Sequence, residues 1–256
     1  MSTVTAVLSH LGAPEVHDSL QLLQAVAPDA RFVVCYGGRI DEFERIDYGH
    51  KLFIDDPTLR GPERHLQSLT TVLERVWAAY FEADESVDSL YVIEYDHLVL
   101  DSRFETRLRE LASQTRADFM GKNCVDCTAT NEAQYVRFRR DERLLAHLRS
   151  LSVRDEPTRL FRCLGDGMWI SRRAVRAYVE VGDHPPCYCE VYVPTLLHHL
   201  GFRLVDVDAH SDLYQDVRYM PRFDAEQAMA RFTDGAVFIH PVKDPLALRA
   251  IRGALT

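Results

Sequence analysis

Tyr91-Val92-Ile93-Glu94-Tyr95-Asp96-His97-Leu98-Val99-Leu100 is the stretch from which the rest of the chain is read. Its apolar start, Tyr91 to Ile93, predicts a short strand buried on both faces, the pattern of a mostly parallel sheet. Leu98 to Leu100 is apolar again after the acidic triplet Glu94-Tyr95-Asp96. Alternation along an extended chain places Glu94 and Asp96 on one side and Tyr95 on the other. Two carboxylates at the exit of a buried strand are costly without a partner. A divalent cation is the simplest one. Hard carboxylate oxygens suit Mg²⁺ or Mn²⁺, which complete their shells with water and substrate phosphates. The bland alternative is two solvated carboxylates at a loop edge, and the triplet alone leaves both readings open.

On the amino-terminal side, Leu66, Leu69, Leu73, Val76, Trp77, Tyr80 and Phe81 fall on one helical stripe behind Pro62. The polar segment Asp84 to Ser89 then reads as a turn into the Tyr91 strand. Further back, Thr3 to Ser9 reads as a strand and Pro14 as a helix start with Val16, Leu20, Leu23 and Val26 on its apolar face. Strands follow at Arg31–Tyr36 and Lys51–Ile54. This strand-helix-strand-loop-strand opening predicts an α/β fold with helices on the sheet faces. The acidic triplet would sit at the carboxyl edge of the sheet, where open α/β sheets bind ligands.

On the carboxyl-terminal side, Phe104, Leu108 and Leu111 mark a helix, Asp118 to Gly121 a strand, Asn123 to Glu132 a loop, and Leu144, Leu145, Leu148 and Leu151 another helix stripe. Gly165-Asp166-Gly167 is a tight turn before apolar Met168-Trp169-Ile170 and a helix from Ser171. Glu190 to Leu200 is a helix with Pro194 in its opening turns, Arg203 to Val207 a strand, and Val237 to Ile239 the last strand, running into His240-Pro241. No repeat or flexible linker divides the 256 residues, so one domain is expected, residues 1–100 forming one half and 101–256 the other.

The net charge of -9 argues against a nucleic-acid groove as the working surface. No apolar run is long enough to span a bilayer. The opening MSTVTAVLSHLGAP lacks a charged leader before an apolar run, so a first strand is expected there and not a signal peptide. Six cysteines without a secretion signal suit a reducing cytoplasm.

Taken together, the strand ending in Glu94-Tyr95-Asp96, the Gly165-Asp166-Gly167-Met168-Trp169-Ile170-Ser171 segment, Glu190 heading a helix with Pro194-Thr195, and His240-Pro241-Val242-Lys243 resemble the GT-A class of nucleotide-sugar glycosyltransferases. The likeness lies in the order of elements over most of the chain. The family's usual acidic motif is Asp-x-Asp, and Glu94 replaces its first residue. The resemblance implies a single GT-A-like domain whose residues 1–100 hold the nucleotide half and 101–256 the acceptor half. It implies a nucleoside-diphosphate sugar as donor, with a saccharide, lipid-linked or small-molecule acceptor. It makes Asp96 the main ligand of Mn²⁺ or Mg²⁺, Glu94 a ligand through water or a contact to the donor ribose, and His240 the imidazole that completes the shell. Lys243 would lie against the diphosphate, Ser9 and His10 near the nucleotide with Arg39 and Asp41 in reach, and Asp166 beside the donor sugar. Glu190 takes the place of the general base of an inverting enzyme, with Asp183 as a weaker candidate and retention left open.

Other readings compete. Cys124-x-x-Cys127 and Cys187-x-Cys189 would together supply four thiolates for zinc, although the second spacing is tight for a structural knuckle. His198 and His199 read as the polar edge of a helix, and Arg137 to Arg140 as a solvated face. A sugar-nucleotide pyrophosphorylase would share the sheet, but Ser9 to Pro14 has one glycine and no Lys or Arg. A non-catalytic sugar- or partner-binding scaffold is the third possibility.

Overall fold

The computed structural model describes residues 2–56 and 69–255. Pro62 and Leu66 of the expected helix lie outside them. The described elements are β1 (Ser2–Ser9), α1 (Ala13–Val26), β2 (Arg31–Tyr36), α2 (Ile40–Arg45), β3 (Lys51–Phe53), α3 (Thr70–Val76), β4 (Val87–Glu94), β5 (Leu98–Val99), α4 (Phe104–Thr115), β6 (Phe119–Gly121), β7 (Val125–Asp126), α5 (Ala133–Val136), α6 (Glu142–Leu151), β8 (Phe161–Arg162), β9 (Met168–Ser171), α7 (Arg172–Val181), α8 (Cys189–His199), β10 (Leu204–Asp206), α9 (Ala225–Thr233), β11 (Phe238–Ile239) and α10 (Pro245–Leu255). No described helix is long and apolar enough to cross a membrane.

Seven strands form one sheet in the order β10-β6-β9-β4-β1-β2-β3. All its pairings are parallel except those of β9, which runs antiparallel to both β4 and β6. This is the expected α/β architecture with a mostly parallel sheet. Side-chain alternation divides the core. Val7, Tyr91 and Ile93 face a layer holding Leu20 and Leu23 of α1, Phe104 and Leu108 of α4 and Ile251 of α10. Val4, Ala6, Leu90 and Val92 face the opposite layer, with Leu73 of α3, Val175 of α7 and Leu196 of α8. Each fully buried aliphatic side chain contributes about 1.5–3 kcal/mol.

Four local expectations need correction. First, β4 begins at Val87, inside the segment read as a turn. Ser89 is buried there because its hydroxyl pairs with that of Thr3 at 2.9 Å on neighbouring β1, which removes the cost of polarity. Second, the link from β2 to β3 contains α2, whose residues are all at least partly exposed and so leave no apolar stripe. Third, β5 and β11 leave the main sheet and pair with each other. Fourth, His199 is fully buried, not at a polar edge, because Nε2 bonds the Arg159 carbonyl at 2.8 Å and Nδ1 the Ser152 hydroxyl at 3.0 Å.

The topology fixes where a cleft opens. After β1 the chain builds β2 and β3 on one side, then returns as β4 on the other. The strand order thus reverses between β1 and β4, a topological switch point above their carboxyl ends. Ser9 and Glu94 end those two strands, with Leu8 in register with Glu94.

Candidate active site

Three segments far apart in sequence meet at the exit of β4. The strand stops at Glu94, and a turn held by the His97 N–H to the Glu94 carbonyl (3.0 Å) carries Asp96 back beside it. The turn, and not strand alternation, therefore brings the two carboxylates together. Antiparallel β9 pairs Met168 with Val92, which seats Asp166 directly against Glu94. The β5–β11 ribbon pairs Ile239 with Leu98, so the chain leaves it alongside Asp96, where the Val242 N–H donates to the Asp96 carbonyl at 2.9 Å. His240 and Lys243 arrive by that route.

Ligand atoms of Glu94, Asp96 and His240 all lie within 4.8 Å of one another. Asp96 is 1% exposed, yet among the described residues neither of its carboxylate oxygens accepts a hydrogen bond. Lys243 Nζ lies 3.2 Å from Oδ2 without the alignment of a hydrogen bond, and His240 Nε2 lies 3.7 Å from Oδ1. A buried carboxylate so poorly served is expensive, and Glu94 and Asp166 beside it leave negative charge in excess of the one lysine. The donor set of two carboxylates and an imidazole fits a hard or borderline divalent cation. This is the only group of three or more His, Cys, Asp or Glu side chains with such proximity among the described residues.

His240 is oriented for that use. Its backbone is clamped against the 216–218 segment, with its N–H on the Asp216 carbonyl and its carbonyl on the Arg218 N–H, both at 3.1 Å. Nδ1 lies 2.8 Å from the Arg218 carbonyl, which can only accept, so the proton is assigned to Nδ1 and the Nε2 lone pair faces Asp96. Glu94 keeps a solvent-facing edge, but the protein crowding it, then the charges of Asp166 and Asp96, push its carboxyl up to about 8.

Asp166 does not face open solvent. It is 2% exposed, with Oδ1 accepting the Glu94 N–H at 2.7 Å and Oδ2 bonded to His97 Nδ1 at 2.5 Å. Burial alone would raise its pKa. The His97 and His240 imidazoles, the His97 hydrogen bond and the Glu94 N–H outweigh that and hold it below the usual range. His97 is itself fully buried and meets the Tyr91 hydroxyl through Nε2 at 3.2 Å. Each carboxylate oxygen already carries one bond, so Asp166 braces the site from beneath while lining the cleft with Glu94 and Asp96.

Glu190 lies in the first turn of α8 and accepts the Gly165 N–H at 2.9 Å through Oε1, so its carboxylate is turned across the cleft. Burial raises its pKa against hydrogen bonds from the Tyr188 hydroxyl and the Gly165 N–H and the charge of Arg162. A cleft of about 470 Å³ is lined by Ser9, His10, Glu94, Tyr95 and Glu190. Another of about 210 Å³ is lined by Glu94, Asp96, Asp166, Glu190, His240 and Lys243. A third of about 380 Å³ opens toward Arg162 and Arg218. Tyr188, Glu190 and Tyr219 line all three.

Of the expected site residues, Ser9, His10, Glu94, Asp96, Asp166, Glu190, His240 and Lys243 are brought together. Arg39 is not. Its side chain is 79% exposed and forked onto Asp41 by two hydrogen bonds of 2.9 and 2.7 Å, and neither residue lines these clefts. Asp183 is exposed and lines none of them either. The four-thiolate zinc reading also fails, since Cys124, Cys127, Cys187 and Cys189 form no such cluster and are free thiols. Burial raises all four, Cys127 to about 11 and Cys124 to about 12, which disfavours thiolate. Sequence reasoning missed His97, Tyr188, Arg218 and Tyr219. Only Tyr188, two residues before Glu190, had a local signal to find it by.

No protein-family model matches the chain, and no curated protein matches it. Among solved structures, the chain is similar to the galactosyltransferase LgtC in complex with donor and acceptor sugar analogs, at 16% identity over 100% of this chain and 96% of that one, with a TM-score of 0.43. It is similar to a glycosyltransferase involved in glycosylation of the major capsid of PBCV-1, at 8% identity over 100% and 98% of the two chains, with a TM-score of 0.45. It is also similar to the bifunctional IspDF from Campylobacter jejuni, at 14% identity over 81% of this chain and 49% of that one, with a TM-score of 0.38.

Proposed function

We propose that the chain is a glycosyltransferase that moves a sugar from a nucleoside-diphosphate sugar to an acceptor hydroxyl, with Mn²⁺ or Mg²⁺ held by Asp96, Glu94 and His240. The observation that carries this reading is Asp96, a buried carboxylate whose oxygens accept no aligned hydrogen bond and whose one close cation is Lys243, facing a second carboxylate and an imidazole lone pair at a cleft on the sheet's switch point. A divalent cation bound there would offset charge building on a diphosphate leaving group. Lys243, against Asp96, adds a positive charge on the same side. The cleft beside Ser9 and His10 is of a size that suits a nucleotide.

Glu190 supports an inverting course. It stands where the three clefts meet, and a raised pKa makes its carboxylate a better proton acceptor. It would take the acceptor hydroxyl proton as that oxygen bonds the anomeric carbon and the bond from that carbon to the diphosphate oxygen breaks. Residues 1–100 would contribute most of the nucleotide wall and residues 101–256 the acceptor wall of one domain.

The test is thermal melting with a panel of nucleoside diphosphates, with Mn²⁺ or with chelator, followed by transfer assays. A nucleotide-dependent rise in Tm only when Mn²⁺ or Mg²⁺ is present is expected. Glu190→Gln should keep that rise while transfer falls about 10²–10⁴-fold. A nucleotide shift indifferent to chelator would refute the metal assignment, and transfer untouched in Glu190→Gln would refute the base.

A further inference from the structure

The pocket of about 380 Å³ on the far side of Glu190 has a character of its own. Its charged lining residues are Lys122, Arg162, Arg218 and Glu190, three cations to one carboxylate, in a chain whose net charge is -9. The cations differ in how far they are already used. Lys122 Nζ is 2.9 Å from Asp208 Oδ2 and donates to the Tyr214 carbonyl at 2.6 Å, so it builds the wall. Arg162 is split between Glu132 at 3.3 Å and the Tyr135 hydroxyl at 3.4 Å.

Arg218 is different. Its Nε donates to the Pro221 carbonyl at 2.7 Å, and its guanidinium carbon lies 3.8 Å from the centre of the Phe223 ring. Those contacts fix the plane of the group. Among the described residues no carboxylate pairs with it, and its terminal nitrogens have no acceptor. A held, half-buried guanidinium with open donors is preorganised for a planar or tetrahedral oxyanion. Tyr219, 79% exposed and without a ring partner among the described residues, overhangs the same pocket, with Tyr135 and Tyr188 on its wall. Aromatic faces of this kind cover the apolar face of a sugar ring at little entropic cost.

We propose that this pocket binds a saccharide bearing an anionic group, a carboxylate or a phosphate, with Arg218 and Arg162 holding the anion and Tyr219 covering the ring. Calling that saccharide the acceptor rests on the transferase reading, because the pocket meets the transfer site through Tyr188, Glu190 and Tyr219. Anion recognition itself does not depend on it. A free phosphate would satisfy the arginines but leave Tyr219 with nothing to cover.

The experiment is direct binding by calorimetry on the full chain at low ionic strength, with glucuronate, glucose 6-phosphate, glucose and inorganic phosphate as probes. Glucuronate or glucose 6-phosphate should bind at least about tenfold tighter than glucose, the stronger of the two naming the anion, and salt should weaken that preference. Arg218→Gln should abolish it and Arg218→Lys retain part. Arg162→Gln should reduce it, which keeps the test open if Arg218→Gln does not fold. Equal binding of charged and neutral sugars overturns the proposal, as does a preference that survives both glutamine variants. Inorganic phosphate binding as tightly as glucose 6-phosphate overturns the saccharide part. If the nucleotide melting test fails while the charged-sugar preference holds, the transferase reading falls and this pocket stands.

Discussion

His240 presents Nε2 to Asp96 Oδ1 at 3.7 Å, too far for a hydrogen bond, while Nδ1 is held by the Arg218 carbonyl at 2.8 Å. The two side chains are thus aimed at one another without bonding, in a place where burial would reward a bond. That geometry is what a pair prepared for a shared third atom looks like, and it allows the reading to be tested without a substrate.

Asp96→Asn removes the buried charge and nearly preserves shape. In the absence of metal the variant should be as stable as the parent or more so, because one of three clustered carboxylates facing a single lysine has been neutralised. Mn²⁺ at about a hundredfold its Kd should stabilise the parent by about 2.7 kcal/mol and the variant by almost nothing. Melting curves with and without Mn²⁺ check both halves. A metal shift that persists in Asp96→Asn would place the cation elsewhere.

Gly165 and Glu190 are coupled by contact. A Cβ on Gly165 would stand 2.8 Å from Glu190 Oε1 and 2.9 Å from its Cγ. A glutamate side chain can swing away, so Gly165→Ala should cost no more than about 1 kcal/mol of stability. Displacing the carboxylate should nevertheless lower transfer by about tenfold or more, since small misplacements of a catalytic group are costly. Activity and Tm measured on one preparation separate the two effects. Transfer at the parental rate in a folded Gly165→Ala would show that the position of Glu190 does not matter.

Much of this site could be read in the sequence, because its residues sit at the ends of apolar strands. Glu94 and Asp96 follow a strand with five consecutive buried residues, Ser89 to Ile93, and His240 with Lys243 follows another. What stayed hidden depends on which strands pair. Nothing local announces that β9 runs antiparallel and so turns Asp166 beneath Glu94, or that an apolar-flanked His97 bonds it. Arg218 and Tyr219 lie in a stretch from 210 to 224 with neither helical nor strand periodicity, placed by its backbone bridge to His240. Two missed helices did carry signals. Asp224 and Gln227 form the capping box of α9, and Pro245 opens α10.

Asp166 holds the Glu94 N–H and His97 together, so its removal should show in stability as well as in rate. Asp166→Ala should cost about 3–5 kcal/mol by leaving buried partners of a charged group unmatched. A contact made only to substrate would cost nothing when the ligand-free protein is melted. Urea unfolding of ligand-free Asp166→Ala beside Glu190→Gln decides between them, and equal stability of the two would refute the brace and favour a contact made only to substrate.

His184 gives the fold a predictable acid limit. It is half-buried and stacked on Tyr178 at 4.6 Å, with Nδ1 on the Tyr192 hydroxyl at 2.9 Å. Burial first, and then the nearby His147, depress its pKa to about 4, while Asp183 pulls the other way. The folded value lies below that of the unfolded chain, about 6.5. Between those values the unfolded state binds more protons, so stability is complete above about pH 6.5 and declines as pH falls toward about 4. His198, also depressed to about 4 by burial and by His199, acts in the same direction. With a discount for partial exposure, His184 should account for about 1 kcal/mol lost between pH 7.5 and 5. His184→Gln should therefore narrow the difference in unfolding free energy between those two pH values, measured in urea. An unchanged difference would mean that His184 stays neutral, or gains a compensating partner, across the whole range.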